Sequence, residues 1–374
     1  MAMASAQPFL SLYLNDRGIS SRNIGLILSI SGVAQILAQP LLGAINDRAR
    51  DGRHLLILSA ILSPIVFWGY AMNVAIGWLM LVSVVFAIMQ SAAPLMDAMA
   101  LQASTKFDFT YGQVRLWGAL SYALTTMAAG FFYHASGLHW AFVMYAILSI
   151  TLAFLALRLP QLPALSTAKE KFWQGIWTLS QHGRLLFFIA VCFLLSITMS
   201  INSAFLPLYF HALKYPMGLV GLNFTVAALV EVPMFQLSAR LMERMGAMRV
   251  LFFASAAFAV KYVLMAVAPS VAGVIAVQAL DGVGYALYWS AAVHMVSSLA
   301  PEKYGGTAQT MFGSLAGSLG SMVGSTLGGW TFGSLGPLGM YWMNAAIGAL
   351  AFGGYVIFAL MSREKRTKWT SVSM

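Results

Sequence analysis

The sequence predicts an all-α polytopic membrane protein built as two six-helix bundles related by an internal repeat, with a first helix that looks truncated. Three observations predict it. Of the 374 residues, 60% are apolar and only 9% charged, against about 25% charged in an average soluble domain, and the mean hydropathy is +0.79. A soluble globule of this composition lacks the polar surface to cover its core, so a water-soluble enzyme and a disordered chain are both excluded. Second, the apolar runs are long and continuous, as at 185–195, where a transmembrane barrel would alternate with period two. Third, Phe9-Leu-Ser-Leu-Tyr13 returns as Phe205-Leu-Pro-Leu-Tyr209 at an offset of 196. The same register sets Gly25-Leu26 on Gly221-Leu222, Gln35 on Glu231 and Asp47-Arg48 on Glu243-Arg244. Two halves with their parts in the same order are parallel repeats, an organisation used by secondary transporters.

Hydropathy places a partial span at 1–14 and full spans near 24–45, 55–72, 76–103, 114–133, 140–159, 185–210, 219–241, 250–267, 271–299, 307–332 and 338–361. The first half is then 1–160, a polar linker 161–184, the second half 185–362 and a tail 363–374. The partial span is short: 14 residues rise about 21 Å as a helix, below a hydrocarbon core of ~30 Å. Eight residues precede Phe9, whereas the equivalent Phe205 follows a long apolar run from Leu185. The expectation is a chain lacking most of its first helix, with a short re-entrant start as the alternative.

Charge orients the spans. Of the 21 Lys and Arg, Arg48, Arg50, Arg53, Lys106, Arg115, Arg158, Lys169, Lys171, Arg184, Arg240, Arg244, Arg249, Lys303, Arg363, Lys365, Arg366 and Lys368 fall on one side. Arg17, Arg22 and Lys214 fall on the other, and Lys261 lies inside a span. Basic loops are retained in the cytoplasm, so both termini are expected there, provided the first span crosses. The net charge of +10 is then a matter of topology, not of nucleic-acid binding. A single cysteine, Cys192, excludes an intrachain disulfide and a Cys-rich metal site. The N-terminus lacks a basic leader region, and Pro8 interrupts its apolar stretch.

Two motifs carry a resemblance. Gly43-Ala-Ile-Asn-Asp47-Arg48 followed by Gly52-Arg53 resembles the loop signature G-x-x-x-D-R-x-G-R of the major facilitator superfamily, with two extra residues before the Gly-Arg pair. A degraded second copy reads Ala239-Arg-Leu-Met-Glu243-Arg244-Met-Gly246. The segments Pro94-Leu-Met-Asp97-Ala98 and Tyr111-Gly112-Gln-Val-Arg115-Leu-Trp117-Gly118 resemble the phenylpropionate-permease branch, near the lactose-permease and nucleoside-symporter groups. The resemblance implies an alternating-access carrier, usually proton-driven, in the bacterial inner membrane. It also implies gating roles for Asp47, Arg48 and Arg115. Asp97 stands between a gate and a solute site.

Charged groups at mid-membrane are costly and usually functional. Glu231 lies 10 residues before Leu241, Lys261 lies 11 after Val250, and Asp281 lies 10 after Val271. Each is thus about 15–17 Å deep on three consecutive spans. They are the candidate proton-coupling groups. Burial penalises the charge of such an acid while a nearby ammonium supports it, a balance that suits loading and release of a proton. A self-neutralising structural ion pair is the competing reading. Lactose permease also uses charged groups on its eighth to tenth helices, which supports a coupled cluster.

The solute-binding candidates are Gln35, Asn202, Gln278, Tyr285, Tyr288 and Trp289. Gln278, Asp281, Tyr285, Tyr288 and Trp289 fall within an arc of about 100° on one helix, a stripe suited to an aromatic or sugar-like ligand. Interhelical packing is the competing reading. Ser196, Ser200 and Ser203 share a face near Asn202, a pattern that also serves helix packing. The glycine ridge Gly313, Gly317, Gly320, Gly324 and Gly328 permits close contact or sliding.

No His cluster has metal-ligand spacing, and no phosphate-cradling loop or nucleophile triad is present. No metal or other cofactor is therefore expected, and no enzymatic activity. The expected function is secondary active transport of a small organic solute, with an aromatic carboxylate as one candidate and Lys261 or Arg115 as its counter-charge. Proton symport is the expected coupling. An efflux antiporter and a truncated, inactive carrier remain alternatives, and a channel ranks below them. The partners expected are a small-molecule substrate, protons and the lipid bilayer, with no nucleic acid; the expected oligomeric state is a monomer.

Overall fold

The computed structural model describes residues 1–48, 53–92, 96, 99, 111–158, 170–216, 218–267 and 270–370. No strand occurs among the described residues. The helices are α1 (Ala2–Asp16), α2 (Ser21–Arg48), α3 (Arg53–Met72), α4 (Ile76–Gln90), α5 (Tyr111–Ser136), α6 (Trp140–Leu157), α7 (Glu170–Ser180), α8 (Gly183–Ala212), α9 (Gly218–Met245), α10 (Ala247–Val267), α11 (Val271–Leu299), α12 (Gly305–Phe312) and α13 (Leu319–Thr370). Helices are the natural outcome, because a lipid-embedded chain must pair every backbone N–H and C=O within its own segment. Among the described residues, eight segments are long and apolar enough to cross a membrane. Their outward faces carry large exposed side chains such as Leu37, Ile65, Phe154 and Leu350. Hydrocarbon around the protein accepts such a surface, and water would not.

Two features depart from the hydropathy reading, and a third agrees with it. The expected linker 161–184 contains α7, whose Gly175 packs on Tyr304 and Thr307 while Trp177 stays exposed. Its apolar residues recur at helical spacing, a signal that a reading for spans alone passes over. Between α12 and α13 the chain runs as a π-helix over Gly313–Ser318. Finally, α13 is broken within its length at Gly336, at φ 74°, followed by Pro337. Only glycine holds that left-handed angle without strain, and proline cannot continue the preceding hydrogen-bond ladder. This break falls between the expected spans 307–332 and 338–361.

The packing falls into two sets. In the first, α3 packs on α6, α2 on α4 and α1 on α6. Tyr145 Oη donates to Ser63 Oγ at 2.9 Å and accepts from Gln90 Nε2 at 2.8 Å, while Tyr133 Oη donates to the Ser5 carbonyl at 2.8 Å. In the second, α13 packs on α8, α9 on α11, and α10 on both α11 and α13. Gly320, Gly324 and Gly328 of the glycine ridge face α8 within this set, whereas Gly313 and Gly317 have open space beside them.

The two sets meet along two extensive seams, α2 with α13 and α5 with α9, and also where α1 packs on α8. In the first seam, a Cβ on Gly25 would strike the Ser325 carbonyl, and Gly32 sits against Met322. Ser29 Oγ donates to the Met322 carbonyl at 2.8 Å and also bonds Thr326. In the second seam, a Cβ on Gly221 would strike the Thr126 carbonyl and the Met127 Cα, and Thr225 Oγ1 donates to the Ala123 carbonyl at 2.9 Å. Gly25 and Gly221 are the pair that the repeat register equates. Both seams lie at the starts of α2 and α9 and the end of α5, the end of the molecule that carries Arg17, Arg22 and Lys214. The sets are therefore sealed together at this basic-poor end.

A seam of backbone contact leaves no room for an indole. Gly221→Trp should drive α5 and α9 apart at the basic-poor end. Spin labels at the exposed positions His134 and Lys214 would report the distance, with the buried Cys192 contributing no background. A lengthening of several ångström is expected; an unchanged distribution in a folded variant would show that the seam does not hold the conformation.

Candidate functional site

The centre of the second set holds an ion pair. Lys261 lies on α10 and is fully buried, and its Nζ donates to Asp281 Oδ1 on α11 at 2.5 Å. Asp281 keeps 23% of its side chain exposed. The pair follows from sequence: α10 and α11 pack along their lengths, and their charges fall at matching depth. A lone ammonium in hydrocarbon would be prohibitive, and the carboxylate meets that demand.

Glu231 stands beside them on α9 and is half-buried. The approach is set by Gly282, next to Asp281: a Cβ there would strike the Ala227 carbonyl and lie 3.0 Å from the Glu231 amide nitrogen. The three sequence-selected ionic residues thus lie on three mutually packed helices. Two residues beyond Glu231, Pro233 removes one backbone donor from the interior of α9.

The aromatic stripe of α11 divides. Tyr285 and Trp289 stack at 6.1 Å and 16°, with Phe235 of α9 edge-on to Tyr285 and Phe312 of α12 beside Trp289. Trp289 is 41% exposed and Tyr285 half-buried, so this aromatic pair is only partly covered by the described residues. Tyr288 instead points into the bundle, where its hydroxyl lies 3.4 Å from the Cys192 carbonyl of α8. Gln278 is fully buried, and neither amide atom has a partner among the described residues. Asn202 is also buried and accepts a hydrogen bond from Tyr341 Oη at 3.1 Å. Three of the six solute candidates therefore sit inside the bundle. Tyr285, Trp289 and the half-buried Gln35 of α2 do not. Ser196 and Ser200 serve packing: Ser200 Oγ donates to the Ser321 carbonyl at 3.0 Å.

Sequence reading passed over Tyr262, Tyr341 and Phe235. Tyr262 and Tyr341 rings stack at 6.3 Å, and Tyr341 meets Tyr209 edge-on at 4.7 Å, walling the ion pair on the α8 and α13 side. Phe235 lies one turn beyond Glu231, a spacing that puts both on one face of α9. Of the gating candidates, Asp97 and the side chains of Asp47, Arg48 and Arg115 lie outside the described residues. No group of three or more His, Cys, Asp or Glu that could hold a metal occurs among the described residues.

Removing one partner of the pair exposes its role. Asp281→Asn would leave the Lys261 ammonium buried without a counter-charge, a loss of about 3–5 kcal/mol by comparison with other broken buried pairs. The expected readout is a lowered melting temperature in detergent, largely restored in the double variant Lys261→Met/Asp281→Leu. A single variant as stable as the parent would show that the ammonium is compensated elsewhere.

The comparisons agree with this architecture. A probable 3-phenylpropionic acid transporter of Escherichia coli (strain K12) is 28% identical over 282 residues, 73% of each chain. A maltose permease of Geobacillus stearothermophilus is 28% identical over 370 residues, 98% of this chain and 92% of the permease. The crystal structure of the nucleoside transporter NupG superposes with a TM-score of 0.82 at 16% identity, covering 96% of this chain and 95% of that one, and so shares the fold. The MFS_1 like family model matches residues 1–343, and the chain belongs to that family, a multi-pass membrane transporter of the major facilitator superfamily and not an enzyme.

Proposed function

We propose that the chain is a proton-coupled symporter that carries a small organic solute across the bacterial inner membrane by alternating access, with its basic end in the cytoplasm. The observation that carries this reading is the Lys261–Asp281 pair, buried within the second set and neighboured by Glu231. Asp281 is the accessible member and Lys261 the inaccessible one. A proton arriving at Asp281 removes the counter-charge of a buried ammonium, so protonation and helix arrangement are energetically linked. Glu231 supplies a second carboxylate on the adjacent helix to which the proton can pass. The seams seal the basic-poor end, which supports reading this as the inward-facing state of the cycle.

The solute reading is drawn from the same geometry. Lys261 is enclosed and already neutralised, so it offers little to a carboxylate. The partly covered Tyr285–Trp289 stack presents ring faces, which suit the C–H face of a sugar or the face of a base. A neutral ring-bearing solute is therefore favoured over an aromatic acid. The maltose permease similarity over nearly the whole chain supports that order.

Proteoliposomes with an imposed pH gradient test the coupling. Accumulation should require the gradient, and Glu231→Gln should abolish accumulation while sparing solute exchange. Accumulation that survives collapse of the gradient would defeat proton symport. For the solute, a ligand that binds the native state raises its melting temperature. Disaccharides or nucleosides should do so, and a response confined to aromatic acids would reverse the assignment.

A further inference from the structure

Two buried polar groups of the second set lack a partner, and both reach the same residue. Tyr262 of α10 and Asn344 of α13 are fully buried. Neither Tyr262 Oη nor Asn344 Oδ1 has a hydrogen-bond partner among the described residues. Thr198 of α8, also fully buried, connects them. Asn344 Nδ2 donates to the Thr198 carbonyl at 3.3 Å. The Tyr262 hydroxyl comes up to the Thr198 side chain without reaching hydrogen-bonding geometry. Thr198 Oγ1 gives its own proton to the Leu195 carbonyl at 2.7 Å, so toward the other two it can only accept.

The neighbouring tyrosines make Tyr262 the exception. Tyr209 Oη donates to the Met265 carbonyl at 2.7 Å, and Tyr341 Oη donates to Asn202 Oδ1 at 3.1 Å. Both are as deeply buried as Tyr262, and the protein itself pairs their hydroxyls. Turning the Asn344 amide over does not help. A flip would set its oxygen against the Thr198 carbonyl, acceptor on acceptor, so the bond to Thr198 fixes the amide with Oδ1 unpaired. Buried groups left in this way bond an ordered water. The demand is an acceptor for the Tyr262 O–H and a donor each for Asn344 Oδ1 and Thr198 Oγ1. That is about three bonds, the number a buried water makes. A metal cation would serve the acceptors and leave the tyrosine proton unanswered. It would also stand close to a like charge, since Lys261 Nζ lies 5.1 Å from the centre of the Tyr262 ring.

We propose that a water molecule is bound among Tyr262, Asn344 and Thr198, accepting from Tyr262 Oη and donating to Asn344 Oδ1 and Thr198 Oγ1. It bridges α8, α10 and α13, and it does so whichever solute or ion the protein carries. It bonds the far end of the tyrosine, not the ammonium. The ring is thereby held at its hydroxyl while its face meets Lys261.

X-ray radiolysis of the parent protein in nanodiscs tests this, with oxidation of each tyrosine read by mass spectrometry. Radiolysis of a bound water releases hydroxyl radical where the water sits. Tyr262 should therefore be oxidised several-fold faster than Tyr209 and Tyr355, which are equally buried but whose hydroxyls are paired within the protein. Equal rates at the three tyrosines would overturn the proposal. Asn344→Leu removes one acceptor and should bring Tyr262 down to the rate of Tyr209. An unchanged Tyr262 rate in a folded Asn344→Leu variant would count against the site, and the comparison within the parent decides the matter should that variant fold poorly. Replacing sodium and potassium by N-methylglucamine should leave the Tyr262 rate as it is. A rate that follows the alkali cation would overturn water as the occupant and mark a cation site.

Discussion

The bond between Lys261 and Asp281 is the constraint on which the second set depends. A fully buried ammonium has no water to fall back on, so its carboxylate must follow it through any rearrangement. That requirement fixes α10 to α11. The close approach at Gly282 fixes α11 to α9, because the Ala227 carbonyl occupies the space a side chain would need. Three helices are thereby locked by one charge pair and one missing methyl group. The tyrosine wall extends the lock to α8 and α13 through Tyr341 and Asn202. A set tied in this way moves as a body, and movement has to be taken up where the two sets touch.

The seams are built for parting. Their tightest contacts, at Gly25, Gly221 and Gly329, are backbone against backbone and carry dispersion energy. Two of their hydroxyls, those of Thr225 and Thr326, also have partners within their own helices. Thr225 Oγ1 donates to the Gly221 carbonyl of its own helix at 2.9 Å, the same distance as its bond across the seam to Ala123. Thr326 Oγ1 likewise reaches the Met322 carbonyl within α13 at 3.2 Å. At Thr225 and Thr326, opening a seam therefore exchanges a shared hydrogen bond for an intrahelical one, whereas Ser29 Oγ bonds across the seam to Met322 and Thr326. Contacts inside each set differ. The Tyr145–Ser63 and Tyr341–Asn202 bonds join two buried side chains with no such alternative within one helix.

Much of this was legible in the sequence because a membrane simplifies the problem. Hydrophobic length alone located the spans, and depth counting brought Glu231, Lys261 and Asp281 to one level before any contact was known. The pairing then followed from the rule that buried charges find each other. The helical wheel failed where it had to: an arc of about 100° on α11 spans more than one neighbour. Tyr288 and Gln278 turn toward the bundle interior while Tyr285 and Trp289 turn to a partly covered face, and only packing separates them. Asn202 misled for a related reason, since an amide in a span serves a neighbouring tyrosine as readily as a solute. The π-helical stretch at Gly313–Ser318 and the amphipathic α7 were missed because a hydropathy window averages over both.

Depth also sets where the ionic groups stand relative to the seams. The α2 seam runs from Ser21, which Gly333 approaches, down to Gly32, about 17 Å along the helix. Gln35 lies three residues further. On α9 the seam includes Gly221 and Thr225, and Glu231 lies about 20 Å from the helix start. Asp281 lies at about 15 Å on α11. Gln35 and Glu231 thus follow the tightest seam contacts on α2 and α9. Under the proposed proton coupling, shorter seams would let the carboxylates face both ends at once. Longer seams would bury the groups in dry backbone contact, away from either side. The length of the glycine-lined contact, set by where the small residues end on α2 and α9, therefore determines from which side the carboxylates can be reached.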